Sequence, residues 1–186
     1  DSIIGLCQKE TSKNPIEIIQ KMMALPFCHM HGPEHHVMVG SALIAAYKNA
    51  GGNIDLVKAL FEMQARGKKV PGGACGFWGA CGAGVSAGMF VSIVTGSTPL
   101  TNEAWGLSNK MTASALGAIG EVGGPRCCKR DSYISIIIYI YSFSCWFYWY
   151  QRPSFRRRLP RIHIQCCSNG SMCRISRVYE TVSKRT

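Results

Sequence analysis

Residues 72–84 have the sequence Gly-Gly-Ala-Cys-Gly-Phe-Trp-Gly-Ala-Cys-Gly-Ala-Gly, a glycine-rich segment with two cysteines. On one continuous helix Cys75 and Cys81, six positions apart, would point about 240° away from each other. The glycines favour a loop instead, because they allow close approaches and backbone conformations that other residues avoid. Such a loop separates two helices and lets both thiols reach one metal ion or cluster. The alternatives are two cysteines packed as small hydrophobic residues, or a redox-active or nucleophilic thiol.

A second group of ligand-type residues precedes this loop, in residues 28–36, Cys-His-Met-His-Gly-Pro-Glu-His-His. Thiolate and imidazole groups are common ligands of zinc, copper and iron. Glu34 and His35 are candidates for catalytic proton transfer, and Glu34 is also a candidate for orienting an imidazole. The order differs from His-Glu-x-x-His, so a zinc-protease mechanism is not expected. The structural alternative is capping of the following helix. The metal-ligand candidates are Cys28, His29, His31, His35 and His36.

A third group follows in residues 125–130, Pro-Arg-Cys-Cys-Lys-Arg. Neighbouring cations lower the pKa of a thiol, which favours ligation or reactivity at Cys127 and Cys128. The alternative is a pair of ordinary cysteines at a helix start. The flanking Arg126, Lys129 and Arg130 are suited to a small anionic substrate such as a phosphate or carboxylate. The candidate ligands of a shared cofactor are therefore Cys75, Cys81, Cys127 and Cys128.

Apolar residues recur at helical spacing between these groups, with glycine or proline at the breaks. Asn14 followed by Pro15 is a typical helix start, and Asn53 is a candidate cap further along. No alternating strand pattern is visible. The expected fold class is mainly α, a compact multi-helix domain with glycine-rich loops that carry ligands. Because all three groups lie at predicted helix ends, we expect them to converge. The predicted helices cover about residues 16–25, 34–50, 54–66, 83–95 and 102–122.

The composition changes sharply near residue 131. Residues 1–131 hold 12 Lys/Arg and 9 Asp/Glu, whereas residues 132–186 hold 9 Lys/Arg and 1 Asp/Glu. The first part also holds 19 of the 20 glycines. Most of the net charge of +11 is therefore local to the C-terminal part and is not a nucleic-acid signature of the whole chain. We predict a helical Cys/His-rich domain in 1–131 and an aromatic and basic tail in 132–186.

Three interpretations of the tail remain open. In the first, the tail is a basic, poorly folded extension. In the second, residues 132–151, an uncharged run followed by arginines, form a membrane anchor. In the third, the reading frame shifts near residues 132–140 and the tail is artefactual. The run has four serines and many rings where a membrane span prefers Leu, Val and Ala. The second interpretation is therefore disfavoured, and a membrane is not an expected partner.

The ten cysteines are better explained by a reducing compartment than by a disulfide scaffold. Adjacent cysteines, as in Cys127-Cys128 and Cys166-Cys167, are poor disulfide partners for each other. The apolar run at the start of the chain is too short for a signal peptide. These features predict a cytoplasmic, anaerobic setting.

Taken together, the three cysteine and histidine motifs resemble an uncharacterised cysteine-rich family of anaerobic bacteria and archaea. The family is a domain of unknown function that also occurs attached to S-adenosylmethionine-dependent methyltransferase or radical-type domains. The resemblance covers roughly residues 20–137, and the further cysteine-rich C-terminal segment of the family is not recognisable here. It implies a metal or iron–sulfur role without an established reaction.

These observations favour a metal- or iron–sulfur-binding domain, with zinc, iron or an iron–sulfur cluster, that assists redox or radical chemistry. The expected partner is then a methyltransferase or radical-type domain. The alternative is a small-molecule enzyme whose activated Cys/His pair acts on an anionic substrate. A nucleic-acid or membrane-surface binder would depend entirely on the tail, so no specific nucleic-acid partner is expected.

Overall fold

The computed structural model describes residues 1–143. In that part of the chain the backbone forms eight α-helices and no β-strand, which confirms the mainly α fold class. A π-helical turn, Tyr139–Phe143, continues the last helix. The helices are α1 (Ser2–Lys9), α2 (Pro15–Met23), α3 (His35–Asn49), α4 (Leu56–Gly67), α5 (Ala74–Phe77), α6 (Gly82–Thr95), α7 (Glu103–Val122) and α8 (Cys128–Ile138).

Polar caps set the starts of two of these helices. Asn14 accepts a backbone N–H of the first turn of α2 at 3.0 Å, and Pro15 is the first helical residue, as predicted. Helix α4 begins later than expected, because Asp55 rather than Asn53 is its N-cap. A carboxylate cap also interacts favourably with the helix dipole, which an asparagine cap does not.

Helices α1, α5 and α8 were not predicted from the sequence. Helix α5 has only four residues, and the glycines around it weaken any helical pattern. Helix α8 is rich in serine and isoleucine, which have modest helix propensity, and shows no clear apolar stripe. It forms because several neighbouring helices pack around it.

The centre of the fold is the pair α3 and α6. Helix α3 contacts α1, α2, α4, α6 and α8, and it is apolar almost all round for that reason. Helix α6 contacts α3, α4, α7 and α8, and its many small residues allow close packing. The starts of both helices are thereby held by the core on several sides.

Helix α8 runs through residue 131, where the first domain was predicted to end. Its later residues pack against α3, α6 and α7, so the beginning of the predicted tail belongs to the helical core. The physical reason is the burial of isoleucine side chains, which offsets the entropy cost of ordering the backbone. The described residues lie in one compact unit, Asp1–Ser144. The buried residues of α8 beyond position 131 are Ser132, Ile134, Ser135, Ile136 and Ile138.

The rest of the predicted tail, residues 144–186, lies outside the described residues. Its interpretations as an extension, an anchor or a shifted frame therefore stay predictions, as does the division into two parts. Within the described helices, no segment is both long enough and apolar enough to cross a membrane.

Candidate metal centre

Residues from all three cysteine and histidine groups line one cavity of about 210 Å³. The groups meet because helices α3, α6 and α8 begin there, next to the short helix α5. The cavity is bounded by glycines and by a dense set of ionisable or metal-binding side chains. These are His31, His35, His36, Cys75, Cys81, Arg126, Cys128 and Asp131.

Beside this cavity, Cys28, Glu34 and His35 form a compact trio. Their ligand atoms all lie within 4.8 Å of one another, and His35 is fully buried. The Glu34 carboxylate folds back over its own loop and accepts the backbone N–H of His29 at 3.0 Å. Only a glycine at position 32 leaves room for this fold, because a Cβ atom there would collide with the Glu34 carboxylate. The sequence Gly-Pro-Glu-His therefore builds the trio locally.

The hydrogen bonds of His35 define which ring nitrogen faces the trio. Its Nδ1 lies 3.0 Å from Ser132 Oγ, and that hydroxyl donates to the carbonyl of Cys128 at 2.7 Å. Since the hydroxyl has one proton to give, Ser132 accepts from Nδ1–H of the imidazole. In the neutral ring Nε2 then carries the lone pair. It faces Cys28 Sγ at 3.8 Å and the carbonyl oxygen of His29 at 3.1 Å.

Two lone pairs that face each other at this distance repel unless a proton or a cation lies between them. Burial lowers the pKa of His35, and this opposes a second proton on the ring. Burial also raises the pKa of Cys28, while the charge of Lys129 acts in the opposite direction. The raised pKa keeps the thiol proton on Cys28, so its S–H can donate to Nε2 in the metal-free protein, and a metal ion would take the place of that proton.

The cavity next to the trio contains three further thiols, Cys75, Cys81 and Cys128. Cys81 Sγ donates to Asp131 Oδ2 at 3.6 Å. Asp131 is buried and is neutralised by Arg130, whose Nε lies 2.9 Å from Oδ1. This pair holds a negative charge inside the protein next to a thiol.

Backbone amides at the helix starts moderate the thiol acidities. Burial raises the pKa of Cys81 to about 11, and the amides of Ala83 and Gly84 act against that increase. Burial likewise raises the pKa of Cys128, and the amide of Gly32 is the first opposing influence. Amides that stabilise a thiolate would also stabilise the ligated form of these cysteines.

His36 lines the same cavity and has an unusual buried atom. Its Nδ1 is buried and has no hydrogen-bond partner among the described residues. Burial lowers the pKa of the ring, while the backbone of Val70 acts in the opposite direction as a hydrogen-bond partner. The ring lies so close to the start of α6 that a Cβ atom on Gly82 would overlap it. The ring is therefore fixed in place with one nitrogen unused.

The structure separates the predicted ligands into groups. The rings of His29 and His31 are exposed. His29 contacts the trio through its backbone oxygen and through its Nδ1, which lies 3.9 Å from Glu34 Oε1. Cys127 is the N-cap of α8, where its Sγ accepts the backbone N–H of Arg130 at 3.5 Å, and it does not line the cavity. Shared ligation by Cys75, Cys81, Cys127 and Cys128 stays a prediction.

Sequence reasoning missed Ser132 and Asp131. Both lie one turn after Cys128 on α8, and the unpredicted helix is what brings them to His35 and Cys81. The signal that could have found them is the spacing i, i+3 and i+4 from Cys128, which shares one helix face.

Comparison with known families gives a match over most of the chain. The model of a family of unknown function, DUF5714, matches residues 3–145, a wider span than the 20–137 expected from the motifs. No curated protein and no solved structure matches the chain. Since the match covers most of the sequence, the chain belongs to the DUF5714 family of unknown function.

Proposed function

We propose that this domain binds a transition metal ion, zinc or iron, through Cys28, Glu34 and His35. The observation that carries the proposal is the mutual approach of the three ligand atoms within 4.8 Å around a buried imidazole. Thiolate, imidazole and carboxylate are all ligands that zinc and ferrous iron accept. Three protein ligands leave a coordination position open, as in catalytic rather than structural sites.

The hydrogen bonds that hold His35 and Glu34 are of the type that orients ligands in metal sites. A metal-bound histidine usually donates its second N–H to an oxygen that fixes the ring, and Ser132 receives that N–H from His35. The Glu34 carboxylate is held by a backbone amide of its own loop. An ion bound to His35 Nε2 would replace the contact of this nitrogen with the carbonyl oxygen of His29, which lies 3.1 Å away.

The same proposal includes a role in redox or radical chemistry, in a reducing, anaerobic cytoplasm, with a methyltransferase or radical-type domain as partner. The free thiols of Cys7, Cys28, Cys75, Cys81, Cys127 and Cys128 support the reducing setting. An open metal position next to a cavity rich in thiols is compatible with an accessory centre that receives a small molecule from such a partner.

Metal analysis of variants tests the proposal. The purified chain should bind one equivalent of zinc in competition with a chromophoric chelator, and Cys28→Ser, Glu34→Gln and His35→Gln should each weaken that binding. His31→Gln is the matched control, because it lies in the same loop, its side chain is exposed and it is not one of the three ligands. Equal zinc affinity in the control and the three ligand variants would reject the trio as the site.

A second candidate function is the enzyme with an activated Cys/His pair. It is favoured by the contact of Cys28 Sγ with His35 Nε2 at 3.8 Å and by Arg126 at the neighbouring cavity, which could hold an anion. Against it, burial raises the pKa of Cys28, whereas a nucleophilic cysteine needs a lowered one. The pH dependence of Cys28 alkylation in the metal-free protein separates the two, since only the enzyme requires a thiolate below neutral pH.

A further inference from the structure

The cavity beside the trio has the features of a second, separate centre. We propose that it holds an iron–sulfur cluster through the thiolates of Cys75, Cys81 and Cys128 and through Nδ1 of His36. The ligand set differs from the one that the sequence suggested, because His36 takes the place of Cys127. The centre is distinct from the Cys28–Glu34–His35 ion, and its test can succeed or fail independently.

Three thiols line this one cavity, two from the glycine-rich segment and one from the start of α8. Cys75 lies in α5, Cys81 caps α6 and Cys128 opens α8, so each is held by a separate helix. Packing alone does not require three cysteines around a cavity of about 210 Å³.

The cavity thiols do not converge as tightly as the ligands of a single ion do. Among the described residues, the trio of Cys28, Glu34 and His35 has all its ligand atoms within 4.8 Å of one another. The cavity thiols do not form such a group. Ligands of one ion must be that close, since each sits about 2.3 Å from the metal. In a cluster the thiolates bind different irons and can lie further apart around a larger inorganic core.

The fourth ligand is identified by the unused nitrogen of His36. A buried polar atom without a partner is costly, and native proteins rarely keep one without a reason. The backbone of Val70 is the hydrogen-bond partner of the ring, so the other nitrogen, Nδ1, is left to ligate. His36 and Cys81 line the same cavity.

Cys127 is excluded from the set by its own contact. Its sulfur caps α8 by accepting the backbone N–H of Arg130, and it is not among the residues that line the cavity. The neighbouring Cys128 does line it. The adjacent pair is therefore divided between a structural role and a ligand role.

Binding of the cluster would displace one proton from each thiol. In the metal-free protein the S–H of Cys81 donates a hydrogen bond to Asp131, whose charge is balanced by Arg130. On ligation the proton leaves to solvent and no electron is transferred to or from the protein. The thiolate then faces a carboxylate that is already paired with a guanidinium.

The experiment is anaerobic reconstitution of the whole chain with iron, sulfide and a thiol reductant, followed by iron and acid-labile sulfide analysis, visible absorption and electron paramagnetic resonance. The wild type should hold labile sulfide and show sulfur-to-iron charge-transfer absorption. Cys75→Ser, Cys81→Ser and Cys128→Ser should each lose most of both. Cys127→Ser is the matched control and should keep them, because serine is also a good N-cap. Circular dichroism melts establish that every variant is folded.

The histidine ligand has its own test. His36→Ala should lose or destabilise the cluster, and His36→Cys should recover it with a lower reduction potential, since histidine ligands raise the potential of a cluster. Unchanged spectra and potential in His36→Ala would overturn the assignment of His36. The cluster site would be overturned if Cys127→Ser lost as much sulfide as Cys128→Ser. It would also be overturned if the wild type held no sulfide. Cys28→Ser should keep the sulfide, which distinguishes this centre from the proposed ion of the trio.

Discussion

Replacing Ser132 by alanine tests how the protein orients the imidazole of the trio. Ser132 is fully buried, and its Oγ accepts Nδ1–H of His35 at 3.0 Å. Removal of this oxygen leaves a buried N–H without a partner, at a cost of about 1–3 kcal/mol. The ring can escape that cost by moving its proton to Nε2, where it donates to the carbonyl of His29. The second tautomer blocks the nitrogen that faces the trio.

The expected result is therefore a loss of metal affinity with little loss of stability. Removal of a residue that orients a metal ligand typically costs about 10–100-fold in affinity, equivalent to about 1.4–2.7 kcal/mol. Zinc affinity measured by chelator competition, together with urea denaturation of the metal-free protein, provides both quantities.

Ser135→Ala is the matched control for this variant. Ser135 is also fully buried on α8, and its hydroxyl donates to the carbonyl of Asp131 at 2.8 Å, as that of Ser132 does to Cys128. It has no hydrogen bond to His35. Both variants lose a bond back to the helix backbone, and only Ser132→Ala loses the contact with the ring. Equal zinc affinities in the two variants would refute the positioning role of Ser132.

Three further predictions follow from individual residues. Zinc binding to the trio should release about one proton between neutral pH and pH 9.0, because His35, whose pKa is lowered by burial, is already deprotonated, whereas Cys28, whose pKa is raised by burial, still carries its thiol proton. Calorimetry in buffers of different ionisation enthalpy measures this release, and release that persists in Cys28→Ser would contradict the prediction. Gly82→Ala should destabilise the protein by about 1–3 kcal/mol, because the added Cβ overlaps the ring of His36. Gly72→Ala is the control, since a Cβ atom there meets open space and should be tolerated, and thermal melts compare the two variants. Burial raises the pKa of Cys7 from 9.0 to about 12, so the neutral thiol's contribution to the free energy of unfolding is complete below pH 9.0 and is lost as the pH rises toward 12. Denaturation on both sides of pH 9.0 should therefore show a smaller decline in the free energy of unfolding for Cys7→Ala than for the wild type. An identical decline in the two proteins would argue against this prediction.

Much of the fold followed from the sequence. The five predicted helices were found because apolar periodicity and local signals such as Asn14-Pro15 act within a few residues of each other. The breaks between them came from glycine and proline, which act in the same local way. Helix α8, which carries site residues, was not predicted because it has no apolar stripe of its own and is stabilised by its neighbours.

The candidate site divides in the same manner. The residue types of the three cysteine and histidine groups, and their placement at helix ends, were visible in the sequence and indicated metal chemistry. Which residues meet was decided by tertiary structure. Cys28, Glu34 and His35 come together because a glycine lets the glutamate fold back, and Ser132 reaches His35 across 97 positions of sequence. The adjacent Cys127 and Cys128 differ only in where the first turn of α8 directs them, one toward the helix backbone and one toward the cavity. Sequence spacing cannot distinguish them, because that direction depends on how α8 packs in the core.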